Sequence, residues 1–237
     1  MTEPTRVVIQ GDAIAWLRAN PAPEGASVFT SMPDVSEMSG MDLDAWRRWT
    51  VDTARLLIGW ISSGCVAVFY QTDIRHRGAW IDKAHLVATA AEQEGATILF
   101  HKIACRKPPG TLGLGRPTYA HVVGVARAPM PITRPGPDVI ADTGPMNWSR
   151  AMGATAARVA CEFIRADTPT RVLVDPFCGR GTALAVANAV GLDAIGIELS
   201  AKRCRVARSL VIDERGVRSG SPRQHPPGDE DDGRESA

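Results

Sequence analysis

Apolar positions along this chain keep two rhythms, and the chain switches between them repeatedly. "TRVVIQGD" reads as a buried strand, Val7 to Ile9, that stops at Gly11 and Asp12; Asp12 can cap a helix over "AIAWLRAN". "ASVFTS" is a second strand. Asp42 or Asp44 starts a long helix, "AWRRWTVDTARLLIGWIS", whose Trp46, Trp49, Ala54, Leu57 and Ile61 recur at helical spacing. "GCVAVFYQ" is a β-branched strand, and "AWIDKAHLVATAAEQEG" a helix closed by Gly95. "ATILFHKIAC" and "TYAHVVGVAR" are further strands, separated by the Gly- and Pro-rich loop "RKPPGTLGLGRP". An irregular connector, 128–145, leads to a helix over "SRAMGATAARVACEFIRA". A strand "RVLVDPF", the turn "CGRG", a helix "TALAVANAVG", a strand "DAIGIELS" and a helix "AKRCRVARSLVID" complete the pattern. Strands alternating with helices predict an α/β domain around a doubly wound, mostly parallel sheet.

Composition narrows this further. With 237 residues and 44% apolar content, the chain suits one well-buried domain, 1–212. The remainder, 213–237, is polar and nearly free of aliphatics, and is expected to be disordered. No run of 18 apolar residues exists and the N-terminus is unlike a secretory leader, so no membrane association is expected. The five cysteines are scattered, odd in number and never spaced C-x-x-C. That argues against a disulfide framework or a metal site, and fits a reducing cytoplasm. The net charge of +1 hides an asymmetry, because the tail alone carries −3. Residues 95–137 contain no acid, yet hold Lys102, Arg106, Lys107, Arg116, Arg127 and Arg134. Such a segment suits a polyanion, or is a solvated face balanced by acids elsewhere in three dimensions.

The densest chemistry lies in "RVLVDPFCGRGTALAVANAVGLDAIGIELS". A strand runs to Asp175, Gly179 and Gly181 sit in the turn, and Thr182 opens a helix. Glu198 ends the next strand, 17 residues beyond Gly181, where an acid can accept both hydroxyls of a ribose. This is the mononucleotide-binding half of a Rossmann-like fold. Gly181-Thr182 lacks the lysine of a P-loop, and no third glycine completes a dinucleotide fingerprint.

"DPFCGRGT" resembles motif I of S-adenosylmethionine-dependent methyltransferases, in the form found in amino-methyltransferases of nucleic-acid bases. The motif order resembles the permuted, β-type members of that family, in which the catalytic box precedes motif I. "VVIQGDAIAWL" looks like their opening strand and Gly-Asp, and "VFTSMPD" occupies the place of Ser-Pro-Pro-Tyr. "FHKIACRKP" and "PTYAHVVGVAR" are similar to their late hairpin, with Val122 in place of the usual acid. "NWSRAMGATAARVACEFI" stands where the helix of motif X begins, and "IGIELSAKRCRVA" comes after motif I as expected. The resemblance implies a class I methyltransferase fold: helices on both faces of the sheet and an antiparallel edge.

It also implies S-adenosyl-L-methionine as cofactor, lying over the Gly179-Arg180-Gly181 turn with Cys178 and Thr182 beside it. Asp175 and Phe177 would line the methionine and sulfonium side, Glu198 would hold the ribose, and Asp12 would approach one end. Asn147, Trp148 and Ser149 would close over it. A methyltransferase must hold an exocyclic amine near tetrahedral geometry, which takes two acceptors on its N–H groups. In the family box these are the first side chain and the carbonyl of the second residue, here Ser31 Oγ and the Met32 carbonyl, with Pro33 fixing φ. Asp34 replaces the stacking aromatic. It can accept a hydrogen bond or act as a base, and with Glu37 it also has the spacing of a capping box. Tyr70, Trp80 and Trp148 are candidates for the missing aromatic. Lys107 and Arg116, in the Gly/Pro loop, would meet phosphates.

The function expected is methylation of an exocyclic amino group of a nucleic-acid base, RNA slightly ahead of DNA. The alternatives are a small-molecule or nucleoside methyltransferase and a non-catalytic nucleic-acid-binding relative. No metal is expected, and a homodimer is compatible with the sequence.

Overall fold

The computed structural model describes residues 3–213 and 216–219. In chain order the elements are β1 (Arg6–Gln10), α1 (Ala13–Ala19), β2 (Ala26–Thr30), a single 3-10 turn (Val35–Glu37), α2 (Leu43–Trp60) and β3 (Val66–Gln71). A small hairpin, β4 (Ile74–His76) and β5 (Ala79–Ile81), precedes α3 (Lys83–Gln93), β6 (Thr97–Cys105), β7 (Tyr119–Ala126) and β8 (Val139–Ile140). Then come α4 (Ala154–Asp167), β9 (Val172–Asp175), α5 (Thr182–Ala189), β10 (Asp193–Glu198), α6 (Ala201–Ser209), β11 (Leu210–Asp213) and β12 (Gly216–Ser219).

Eight strands form one sheet in the order β1-β10-β9-β2-β3-β7-β6-β8. The run from β1 to β3 is parallel, and β7 lies antiparallel to both β3 and β6. The doubly wound sheet with an antiparallel edge is therefore as expected. The central strands β2, β3 and β7 are buried on both faces, which is why they read as nearly continuous apolar runs. Along β3, Val66, Val68 and Tyr70 join the layer of α4, α5 and α6, while Ala67 and Phe69 join that of α1, α2 and α3. The crossovers leave β9 and β2 in opposite directions, so a crevice opens where these neighbours end.

Four local expectations change. The helix expected from residue 79 starts at Lys83, because Ala79–Ile81 pairs with Ile74–His76 and Asp82 caps α3 by accepting from the His85 N–H. The helix expected from Ser149 starts at Ala154, leaving 142–153 as an irregular strap. The connector 128–145 contributes the short strand β8, parallel to β6. The last helix ends at Ser209, and Leu210–Asp213 turns back to pair with Gly216–Ser219. The rest of the tail expected to be disordered, 220–237, lies outside the described residues.

Candidate active site

A cavity of about 650 Å³ runs across the C-terminal ends of β1, β10, β9, β2 and β3. That size falls in the range of small-molecule sites, roughly 300–1,000 Å³. Two different walls enclose it.

The first wall is the glycine turn. Asp175 ends β9 and is 1% exposed. Its Oδ1 accepts from Thr30 Oγ1 at 2.6 Å and from the Phe177 N–H at 3.2 Å. Burial pushes this carboxyl up to about 7, the two hydrogen bonds pull against that rise, and the nearby Glu198 adds to it. Gly179 and Gly181 both have positive φ, +54° and +84°. They serve different ends. A side chain on Gly179 would meet nothing within 4 Å, so open space lies over the backbone there. One on Gly181 would come 2.8 Å from Ala207 of α6, so this glycine lets the turn pack on a helix and does not itself line the cavity. Cys178 lies beneath, 5% exposed, its thiol pushed far up by burial. Glu198 is 9% exposed and accepts from the Ser200 N–H at 2.9 Å, with Arg203 at 3.7 Å. Asp12 caps α1 by accepting from the Ala15 N–H, and also lines the cavity. Phe177 and Trp49 meet edge to face with centroids 5.8 Å apart.

The strap covers this wall. The Arg180 and Arg203 guanidinium groups both stand over the Trp148 ring, 5.3 and 5.4 Å from its centroid. Arg180 donates to the Asn147 carbonyl, Arg106 to the Ser149 carbonyl at 2.9 Å, and Arg150 pairs with Glu37 at 3.5 Å. Trp148 and Ser149 line the cavity. Asn147 does not, and its buried amide has no partner among the described residues.

The second wall is the box at the end of β2. Ser31, Met32, Pro33 and Asp34 all line the cavity. Met32 is also core, 2% exposed among α1, α2 and α3. The Ser31 hydroxyl makes no hydrogen bond among the described residues and is free to accept. The Pro33 carbonyl accepts from the Trp46 indole N–H at 3.1 Å. Asp34 and Glu37 form the expected capping box, the Glu37 carboxylate reaching back to the Asp34 N–H and the Asp34 side chain facing the Glu37 N–H, and Asp34 Oδ1 also has a second partner. It meets Lys83 Nζ at 2.7 Å, and the same ammonium donates to the Met32 carbonyl at 3.0 Å.

Sequence reasoning missed Lys83. Only with Asp82 taken as the cap does Lys83 fall in the first turn of the helix, where a cation opposes the helix dipole. It also missed the post beside the box. Asp73, 3% exposed, accepts from the Lys83 backbone N–H, the Trp80 indole, the Tyr119 hydroxyl and His121 Nε2 at 2.9, 3.1, 3.4 and 3.0 Å. Burial alone would raise its carboxyl, but the hydrogen bonds outweigh that and hold it below the ordinary carboxylate range. His121 passes the chain outward to His101 at 2.8 Å. Asp73, Asp82 and His121 bring ligand atoms within 4.8 Å of one another. The protein's own donors already fill the acceptor positions of Asp73, so this cluster is a buttress for the hairpin and α3.

The expected recognition residues divide. Arg116 lines the cavity and Lys107 does not, though both are exposed in the loop. Lys102 is buried and donates to the Gly136 and Pro137 carbonyls, so it is no phosphate contact. Tyr70 touches the cavity but is 2% exposed and bonded to Thr143, and Trp80 stands outside it.

No protein-family model matches the sequence, and no curated protein matches it. Solved structures do match in fold. A Thermus thermophilus protein described as a DNA modification methylase, in complex with S-adenosyl-L-methionine, superposes with a TM-score of 0.66 at 19% identity, covering 86% of this chain and 93% of that one. The PvuII DNA methyltransferase, cytosine-N4-specific, gives 0.67 at 14% identity over 87% and 86%. The M1.HpyAVI–SAM complex gives 0.58 at 12% identity over 86% and 98%. The fold is that of the class I methyltransferases.

Proposed function

We propose that this protein transfers a methyl group from S-adenosyl-L-methionine to an exocyclic amino group of a nucleic-acid base. One observation carries the reading: the glycine turn and the Ser-Met-Pro-Asp box both line one cavity, and the strands that carry them are tied by the Thr30–Asp175 hydrogen bond.

The residues fit the cofactor. Open space over Gly179 admits a ligand against the backbone, and the acids Asp175, Glu198 and Asp12 suit its cationic amine and its ribose hydroxyls. Asp175 and Phe177 would hold the methionine end, Glu198 the ribose, and Trp148 the cover. When bound, the cofactor supplies an electrophilic methyl group. The chain contributes placement and exclusion of water, which are the main sources of rate for such a transfer. Ser31 Oγ would accept one N–H of the amine and direct the nitrogen lone pair into the cavity. Lys107 and Arg116, exposed in the Gly/Pro loop, suit phosphates, while the DNA-methylase names of the fold neighbours concern those proteins. DNA and RNA are therefore both presented in the test.

Purified protein is incubated with labelled S-adenosylmethionine and, separately, genomic DNA, total RNA and a small-metabolite extract. The expected result is label in one nucleic acid, recovered after digestion as an N-methylated cytidine or adenosine. Label in the metabolites alone would replace this reading with the small-molecule one.

A further inference from the structure

The family box supplies a carbonyl as second acceptor for the amine, and in this chain that carbonyl is already engaged. Lys83 is 2% exposed at the first position of α3. Its ammonium donates to the Met32 carbonyl at 3.0 Å and to Asp34 Oδ1 at 2.7 Å, and stands 5.8 Å from the Trp46 ring centroid. A carbonyl bonded to a cation is a poorer acceptor for a second donor. Asp34 differs. Its two oxygens offer about four acceptor positions; its side chain is 32% exposed, and it lines the same cavity as Ser31.

Resting on the function proposed above, we infer that Asp34 replaces the Met32 carbonyl as the second acceptor for the substrate amine. Lys83 is the positioning residue that aims Asp34 and takes the carbonyl out of use. Ser31 and Asp34 then hold the two N–H groups. The nitrogen takes the methyl group as the methyl–sulfur bond breaks, and sulfur keeps that electron pair as a neutral thioether. The nitrogen, now cationic, gives one N–H proton to the Asp34 carboxylate, which passes it to solvent. A carboxylate here selects a group with two N–H donors over a ring nitrogen or a hydroxyl. It also accounts for the missing aromatic: the flipped base is held at its polar edge.

Asp34→Asn, Asp34→Ala, Lys83→Met and Lys83→Arg are compared with wild type on random-sequence DNA and RNA oligonucleotides. Each is also assayed for S-adenosylhomocysteine affinity by calorimetry and for its melting midpoint. Asp34→Ala should lower kcat about 10²- to 10³-fold, the scale of losing one aimed polar group. Asp34→Asn, which keeps an acceptor oxygen, should lose about tenfold. Lys83→Met should lower kcat while the cofactor KM and S-adenosylhomocysteine affinity hold, and Lys83→Arg should recover part of the loss. Should Asp34→Ala melt early from its unpaired buried ammonium, the double variant Asp34→Ala/Lys83→Met takes its place. Wild-type kcat in Asp34→Ala or in Asp34→Asn, where Lys83 still occupies the Met32 carbonyl, would overturn the inference alone. A parallel fall in S-adenosylhomocysteine affinity would overturn it too, by marking the pair as scaffold. A wild type that methylates neither polymer would overturn the proposed function and this inference together.

Discussion

The two walls of the cavity are built by different means. The glycine turn takes its shape mainly from residues close in sequence, a strand, four turn residues, a helix and an acid at the end of the next strand, and is tied to the rest through Thr30 on Asp175 and Trp49 on Phe177. The box wall is made of contacts far apart: Lys83 reaches back to Asp34, His121 to Asp73, and Arg150 to Glu37. Backbone geometry dictates the first, so its residue types are nearly obligatory. Side-chain partnerships dictate the second, so its residues can change in pairs. The glycine turn matches the motif it resembles, while the box differs from Ser-Pro-Pro-Tyr at Met32 and Asp34.

Substitutions in the two walls should separate along the same line. The largest effect is expected from Gly181→Val. A β-branched residue there must take φ +84° and approach Ala207 to 2.8 Å, a cost of roughly 3 kcal/mol or more. Cofactor binding should vanish and the melting midpoint should drop, both visible in a ligand-dependent thermal shift. Ser31→Ala comes next. It should lower transfer about 10²-fold and leave cofactor affinity alone; a loss of affinity would erase the distinction between the walls.

Asp175→Asn sharpens the comparison through pH. A carboxyl raised in the folded state from 3.8 to about 7 holds its proton more tightly than in the unfolded chain. Its favourable contribution is therefore present at low pH and is lost as pH rises between those values. Unliganded Asp175→Asn should show a flatter stability profile across that window in denaturant titrations, while binding cofactor far more weakly. The smallest effects are expected in the Gly/Pro loop. Lys107→Ala and Arg116→Ala should each weaken nucleic-acid binding a few-fold and reduce its salt slope by about one.

Legibility divides in the same way. Strand and helix periods predict the sheet and its doubly wound character, because each element carries its own apolar rhythm. Elements whose ends depend on distant partners are misread. The hairpin Ile74–His76 and Ala79–Ile81 looks partly helical in sequence, and only the structure shows Asp73 taking the Trp80 indole as a partner. The strap 142–153 looks partly helical because the anchors that hold it open, Arg106, Arg180 and Glu37, are remote in sequence. Lys102 counts as a surface cation because nothing local announces the carbonyls that bury it. The glycine turn is legible for the opposite reason, as its spacing and neighbours already contain the geometry.

Cys178 gives the glycine turn a clock. Only the thiolate of a cysteine reacts with an alkylating reagent, and this thiol is held protonated and away from solvent. Modification must wait for the turn to open, so its rate measures how often that happens. Among the described residues all five cysteines are buried, so labelling of the folded protein should be slow throughout. The Cys178 adduct, resolved by peptide mapping, would report residence in the cavity: any molecule seated against Gly179 should lengthen its half-time, with no need for turnover.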